Sequence, residues 1–74
     1  WRAIDAPDNV YLEKKMLSDL LPAAIYNYIE SKRLINKINE LEYHPKMGYK
    51  IETNRGKEIY FNLSGKTIRK PINW

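Results

Sequence analysis

Residues 49–63, Tyr49-Lys50-Ile51-Glu52-Thr53-Asn54-Arg55-Gly56-Lys57-Glu58-Ile59-Tyr60-Phe61-Asn62-Leu63, decide the fold. Apolar and polar residues alternate before Asn54 and again after Gly56, the period of a strand with one buried face. Asn54-Arg55-Gly56 between them is a hairpin signal, with glycine at the left-handed position. The alternation puts Tyr49, Ile51 and Thr53 on one face with Ile59, Phe61 and Leu63. Lys50, Glu52, Glu58, Tyr60 and Asn62 fall on the other. One face is apolar and one wet, as in an antiparallel sheet covered on one side.

Downstream, Ser64-Gly65 turns the chain into Lys66-Thr67-Ile68-Arg69-Lys70, and Pro71 stops it. Ile68 is expected on the apolar face, with Thr67 and Arg69 on the wet one. Upstream, His44-Pro45-Lys46-Met47-Gly48 is a turn, and Ile35–Tyr43 reads as a further strand. The odd spacing of Ile38 and Leu41 suits a bulge or a late strand start there.

The cover for the apolar face lies earlier. Leu21, Ile25 and Ile29 recur at i, i+4 and i+8, flanked by Ala24 and Tyr28. Pro22 suits a first helical turn, Ser18 and Asp19 are cap candidates, and Lys32 and Arg33 complement the far end. Val10–Leu17 reads as a short preceding helix, capped by Asp8 or Asn9, though Val10-Tyr11-Leu12 also fits an extended segment. The fold class expected is α+β, one main amphipathic helix on a four-stranded antiparallel meander. It forms a single domain over 1–74, with an N-terminal segment 1–18, a helix 19–33 and a sheet 35–70.

Composition narrows the function. The chain has 74 residues, no cysteine and three glycines, and 43% of it is hydrophobic. Disulfides and cysteine-bearing zinc sites are excluded. No apolar run approaches the roughly 18 residues of a membrane span. A domain this small hides only about 60% of its unfolded-chain surface, so a deep catalytic cleft is not expected. The opening Trp1 reads as a processed or trimmed start. The absent cysteines and absent leader do not decide the compartment.

The net charge of +4 is uneven. Residues 1–45 carry −1, and residues 46–74 carry +5. Such a half either draws an anionic partner or is a lysine-studded sheet whose charges keep its edges from pairing.

Chemistry-bearing patterns are sparse. His44 is the lone histidine, and no companion marks it as a catalytic base, so no catalytic residue is expected. Glu40, Glu42 and His44 alternate on one strand face and could offer ligands to a divalent ion, but they read more simply as an exposed polar face. No metal or cofactor is expected. Single turn glycines give no phosphate cradle. Tyr60 with Lys50 and Arg69 could stack a nucleic-acid base, which Glu52 and Glu58 on the same face oppose. Six tyrosines and two tryptophans favour a recognition surface. Trp1 and Trp74 are either clamps for the termini or trimming boundaries.

Leu21-Pro22-Ala23-Ala24-Ile25 with Tyr28-Ile29, then Gly48-Tyr49-Lys50-Ile51-Glu52, Gly56-Lys57-Glu58-Ile59-Tyr60-Phe61-Asn62 and Ser64-Gly65-Lys66, resemble the PepSY-like periplasmic proteins. These are related in fold to the β-lactamase inhibitor protein. The likeness spans residues 20–70, and its positions are mostly turn glycines and core apolars. The chain departs from the pattern in its long stretch before Leu21 and in lacking Pro-Gly after the helix.

The resemblance implies a helix-plus-sheet unit, a periplasmic or secreted setting and a non-enzymatic role in binding or inhibiting a protein. It also implies self-association or tandem repetition. The expected contact residues are Lys50, Glu52, Glu58, Tyr60 and Arg69, facing a protein or peptide. A small basic nucleic-acid-binding protein and a purely structural repeat are the alternatives.

Overall fold

A computed structural model describes residues 2–7 and 10–74. Trp1 and the cap candidates Asp8 and Asn9 lie outside the described residues. The order is β1 (Arg2–Asp5), α1 (Lys14–Leu20), α2 (Ala23–Ser31), β2 (Ile38–His44), β3 (Gly48–Thr53), β4 (Glu58–Phe61) and β5 (Thr67–Ile68). The class is α+β, with two helices on a five-stranded antiparallel sheet in the order β1-β2-β3-β4-β5. Four strands were expected from the sequence, and the fifth is β1. It adds beside β2 with Arg2 opposite Tyr43 and Ile4 opposite Leu41. A four-residue strand whose partner comes only after both helices leaves no local signal.

The expected single helix 19–33 is two helices. A residue before proline is pushed out of the helical region, and Leu21 is extended at φ −98°, ψ 145°. Ser18 and Asp19 therefore end α1 rather than capping α2, whose N-cap is Pro22. The short helix expected over Val10–Leu17 begins only at Lys14 and runs to Leu20.

α2 closes on a left-handed residue. Arg33 (φ 59°) donates its N–H to Glu30 O, and Leu34 donates to Ile29 O, the paired bonds of a Schellman ending. Arg33 occupies the place that glycine usually takes.

Leu17, Leu21, Ile25 and Ile29 from the helical segment bury against Ile38, Leu41, Ile51 and Phe61 of the sheet. Tyr28 meets Phe61 edge-on, with ring centroids 5.3 Å apart. The strand expected over Ile35–Tyr43 starts late, at Ile38, and its bulge lies between Ile38 and Glu40. The bulge lets both Ile38 and Leu41 point at the helices.

One face assignment is reversed. β4 ends at Phe61 because the Asn62 side-chain oxygen accepts the N–H groups of Ser64 and Lys66 and turns the chain early. Leu63 is left exposed in that turn instead of joining the apolar face. Phe61 pairs with Thr67 and Tyr60 with Ile68. Thr67 therefore stands on the helix side and Ile68 on the outer side, opposite to the expectation. Among the described residues, no helix is long and apolar enough to cross a membrane.

Candidate functional site

The outer sheet face is built in two rows. One runs Ala3, Glu42, Lys50, Tyr60, Ile68 across the five strands. The next runs Asp5, Glu40, Glu52, Glu58. The register sets four carboxyl-bearing residues directly side by side, Asp5 and Glu40 from the acidic half of the chain and Glu52 and Glu58 from the basic half. Like charges so placed repel.

Lys50 relieves the repulsion. It is 7% exposed. Its Nζ lies 3.1 Å from Glu40 Oε1, 3.4 Å from Glu42 Oε2 and 3.3 Å from Glu58 Oε2. Burial acts to lower its pKa, but hydrogen bonds and charge from these carboxylates outweigh that and hold the ammonium above the usual lysine range. Burial pushes the Glu40 carboxyl up, opposed by the Lys50 hydrogen bond and reinforced by Glu52. Burial also acts to raise Glu58, but hydrogen bonds from Lys50 and from Tyr60 win and hold its carboxyl below the usual value. The Tyr60 hydroxyl donates to Glu58 Oε1 at 3.1 Å. Burial and the neighbouring Glu58 push that hydroxyl's pKa up.

Trp74 covers this network. Its indole N–H donates to Glu42 Oε2 at 2.8 Å. Its ring meets Tyr60 edge-on at 5.2 Å and lies 6.0 Å from His44. Of the two sequence readings of Trp74, the clamp describes this geometry.

The five expected contact residues thus part company. Lys50 and Tyr60 are buried and satisfied within the sheet rather than displayed on a wet surface. Glu52 is half-buried and Glu58 exposed. Arg69 lies beyond β5, on the Thr67 side by alternation rather than on the outer face. Glu58, Tyr60 and Arg69 nevertheless line one open groove of about 540 Å³, together with Tyr28, Lys57 and Lys70.

The groove forms because pairing stops at Tyr60–Ile68 while β4 continues back to Glu58. Its cations Lys57, Arg69 and Lys70 are all exposed. A second recess, of about 330 Å³, lies under the end of α1 between Ile4, Leu20, Leu41, Tyr43 and Tyr49.

Glu40, Glu42 and His44, weighed above as metal ligands, are otherwise engaged. Both glutamates bind Lys50, and His44 Nδ1 accepts the Lys46 N–H at 3.4 Å. Among the described residues, no group of three or more His, Cys, Asp or Glu is arranged to hold a metal ion.

Sequence reasoning missed Lys57 and Lys70 as parts of the groove, and it did not place the Trp74 clamp on Glu42 and Tyr60. Counting register outward from the His44–Gly48 turn would have set Glu42 opposite Lys50. Neither a protein family nor a curated protein sequence matches this chain.

Proposed function

We propose that this chain is a non-catalytic domain that binds a protein or peptide, in the periplasmic or secreted setting that the PepSY-like resemblance implies. The observation that carries the reading is the groove at the β4–β5 margin, where Glu58, Tyr60 and Arg69 meet in a recess of about 540 Å³. That volume falls in the range of ligand sites. It lies along a sheet margin, a form suited to an extended chain more than to a compact metabolite.

Binding is favoured over catalysis by how the polar groups are spent. Glu40, Glu42 and Glu58 all share the one Lys50 ammonium. A group already held in an ion pair before any substrate arrives is a poor proton carrier. An inhibitor-like action, with the domain seated in a partner's own cleft, is the form that the fold resemblance suggests.

Selection of a random-peptide display library on the folded domain tests the reading. The expected result is a convergent set of peptides that free peptide displaces. Enrichment no better than on urea-unfolded domain overturns it.

A further inference from the structure

The groove also identifies its occupant. Lys57, Arg69 and Lys70 surround it, and the single carboxylate on its rim, Glu58, is held by Lys50 and by the Tyr60 hydroxyl. The groove is therefore cationic although the neighbouring outer face carries the acidic row Asp5, Glu40, Glu52 and Glu58.

The backbone adds direction. Ladder bonds alternate along β4. Lys57 O accepts the Thr53 N–H on the β3 side, and Asn62 donates to Lys66 O on the β5 side. Tyr60, facing Ile68, also bonds toward β5. By the same alternation, Glu58 turns its N–H and C=O outward, beyond the point where β5 has ended. Edge backbone groups beside a cationic wall fit an extended acidic peptide, with its main chain against Glu58 and its carboxylates against the three cations.

We infer that the β4–β5 groove binds an acidic peptide segment in extended form. This rests on the peptide-binding reading above and commits it to a place and a charge. A nucleic acid fits less well, because a long phosphate chain leaving the groove across the sheet meets the acidic row.

The test is fluorescence anisotropy with the full chain and four labelled probes at low salt. The probes are an alternating Glu/Val octapeptide, its Lys/Val counterpart, the acidic peptide with its central backbone nitrogens methylated, and an oligothymidylate of equal charge. The acidic peptide is expected to bind. The lysine and N-methylated peptides are expected to bind at least tenfold more weakly.

Arg69→Glu/Lys70→Glu, two exposed positions outside the strands, is expected to lose at least tenfold in affinity for the acidic peptide with an unchanged melting curve. Equal binding by this variant overturns the groove assignment and leaves peptide binding standing. N-methylated peptide binding as well as the parent overturns the backbone contact. Tighter binding of the oligothymidylate overturns the peptide as occupant. Failure of the acidic peptide to bind, while the library selection above still yields a convergent set of other peptides, overturns the acidic occupant and leaves peptide binding standing.

Discussion

Trp74 donates its indole N–H to Glu42 at 2.8 Å, and the acceptor atom, Oε2, is the one that also faces Lys50 at 3.4 Å. The chain's last aromatic side chain thereby reaches the ion-pair centre of the sheet. Trp74→Phe keeps a ring against Tyr60 and removes only the donor, so it is expected to cost about 1 kcal/mol. Trp74→Ala also loses the edge contact and is expected to cost about 2 kcal/mol. Urea unfolding of both, with Glu42→Ala to close a double-mutant cycle, measures the shared part. A cycle energy of zero removes the hydrogen bond from the account.

Lys50→Met tests the centre itself. Removing one side of a buried ion pair costs about 3–5 kcal/mol. Partial exposure of the carboxylates here lowers the expectation to about 2–3 kcal/mol at neutral pH. Acid protonates the three orphaned carboxyls, so the deficit against the parent shrinks as pH falls below the carboxylate range. A deficit independent of pH excludes charge as its cause.

The carboxylates titrate in opposite senses. Glu58 sits below its ordinary value of 4.5, so its contribution is present above that pH and is lost as pH falls through its lower folded-state value. Glu58→Gln is expected to cost up to about 1 kcal/mol at pH 7, with no difference from the parent in strong acid. Glu40 sits above 4.5, so the parent gains stability relative to Glu40→Gln as pH falls through that raised value. Chemical denaturation from pH 7 to pH 2 reads both. Parallel profiles for the two variants contradict the assignment.

Two glycines separate conformational strain from steric closure. Gly48 (φ +133°) would place a Cβ 1.9 Å from Phe61 O, whereas a Cβ at Gly56 (φ +75°) meets nothing within 4 Å. Gly56→Ala is expected to cost about 1–2 kcal/mol, the backbone penalty alone. Gly48→Ala is expected to exceed about 4 kcal/mol or prevent folding, because the β3–β4 ladder must open. Thermal melts rank the two, and equal costs contradict this account.

Arg33 offers the reverse experiment. It ends α2 at φ 59° with a side chain that favours other conformations. Arg33→Gly is expected to stabilise the domain by up to about 1 kcal/mol, read as a higher urea midpoint. A lower midpoint shows that the arginine side chain contributes something its backbone position conceals.

Legibility in the sequence followed the range of the interaction. The Asn54–Gly56 hairpin, the Leu21/Ile25/Ile29 stripe and the β2 bulge are written in neighbouring residues and are present. The phase of β5 failed on one residue. Asn62, counted as a strand position, uses its side chain to start the turn. β1 was illegible because four residues carry too little pattern and its partner lies far along the chain. The outer sheet face was half legible. Alternation found Lys50 and Tyr60, but their burial depends on Trp74 and on carboxylates from another strand.

The placement of β1 has a consequence for the order of assembly. The pairings β2–β3, β3–β4 and β4–β5 are each joined by a short turn, so each closes a short loop. β1 can join β2 only across a loop that holds both helices. Loop-closure entropy therefore makes it the last strand expected to add and the first to leave. Native-state hydrogen exchange is expected to report β1 amides opening well before those of β3. The meander is thus the part expected to form first, and the N-terminal strand the part expected to close the sheet last.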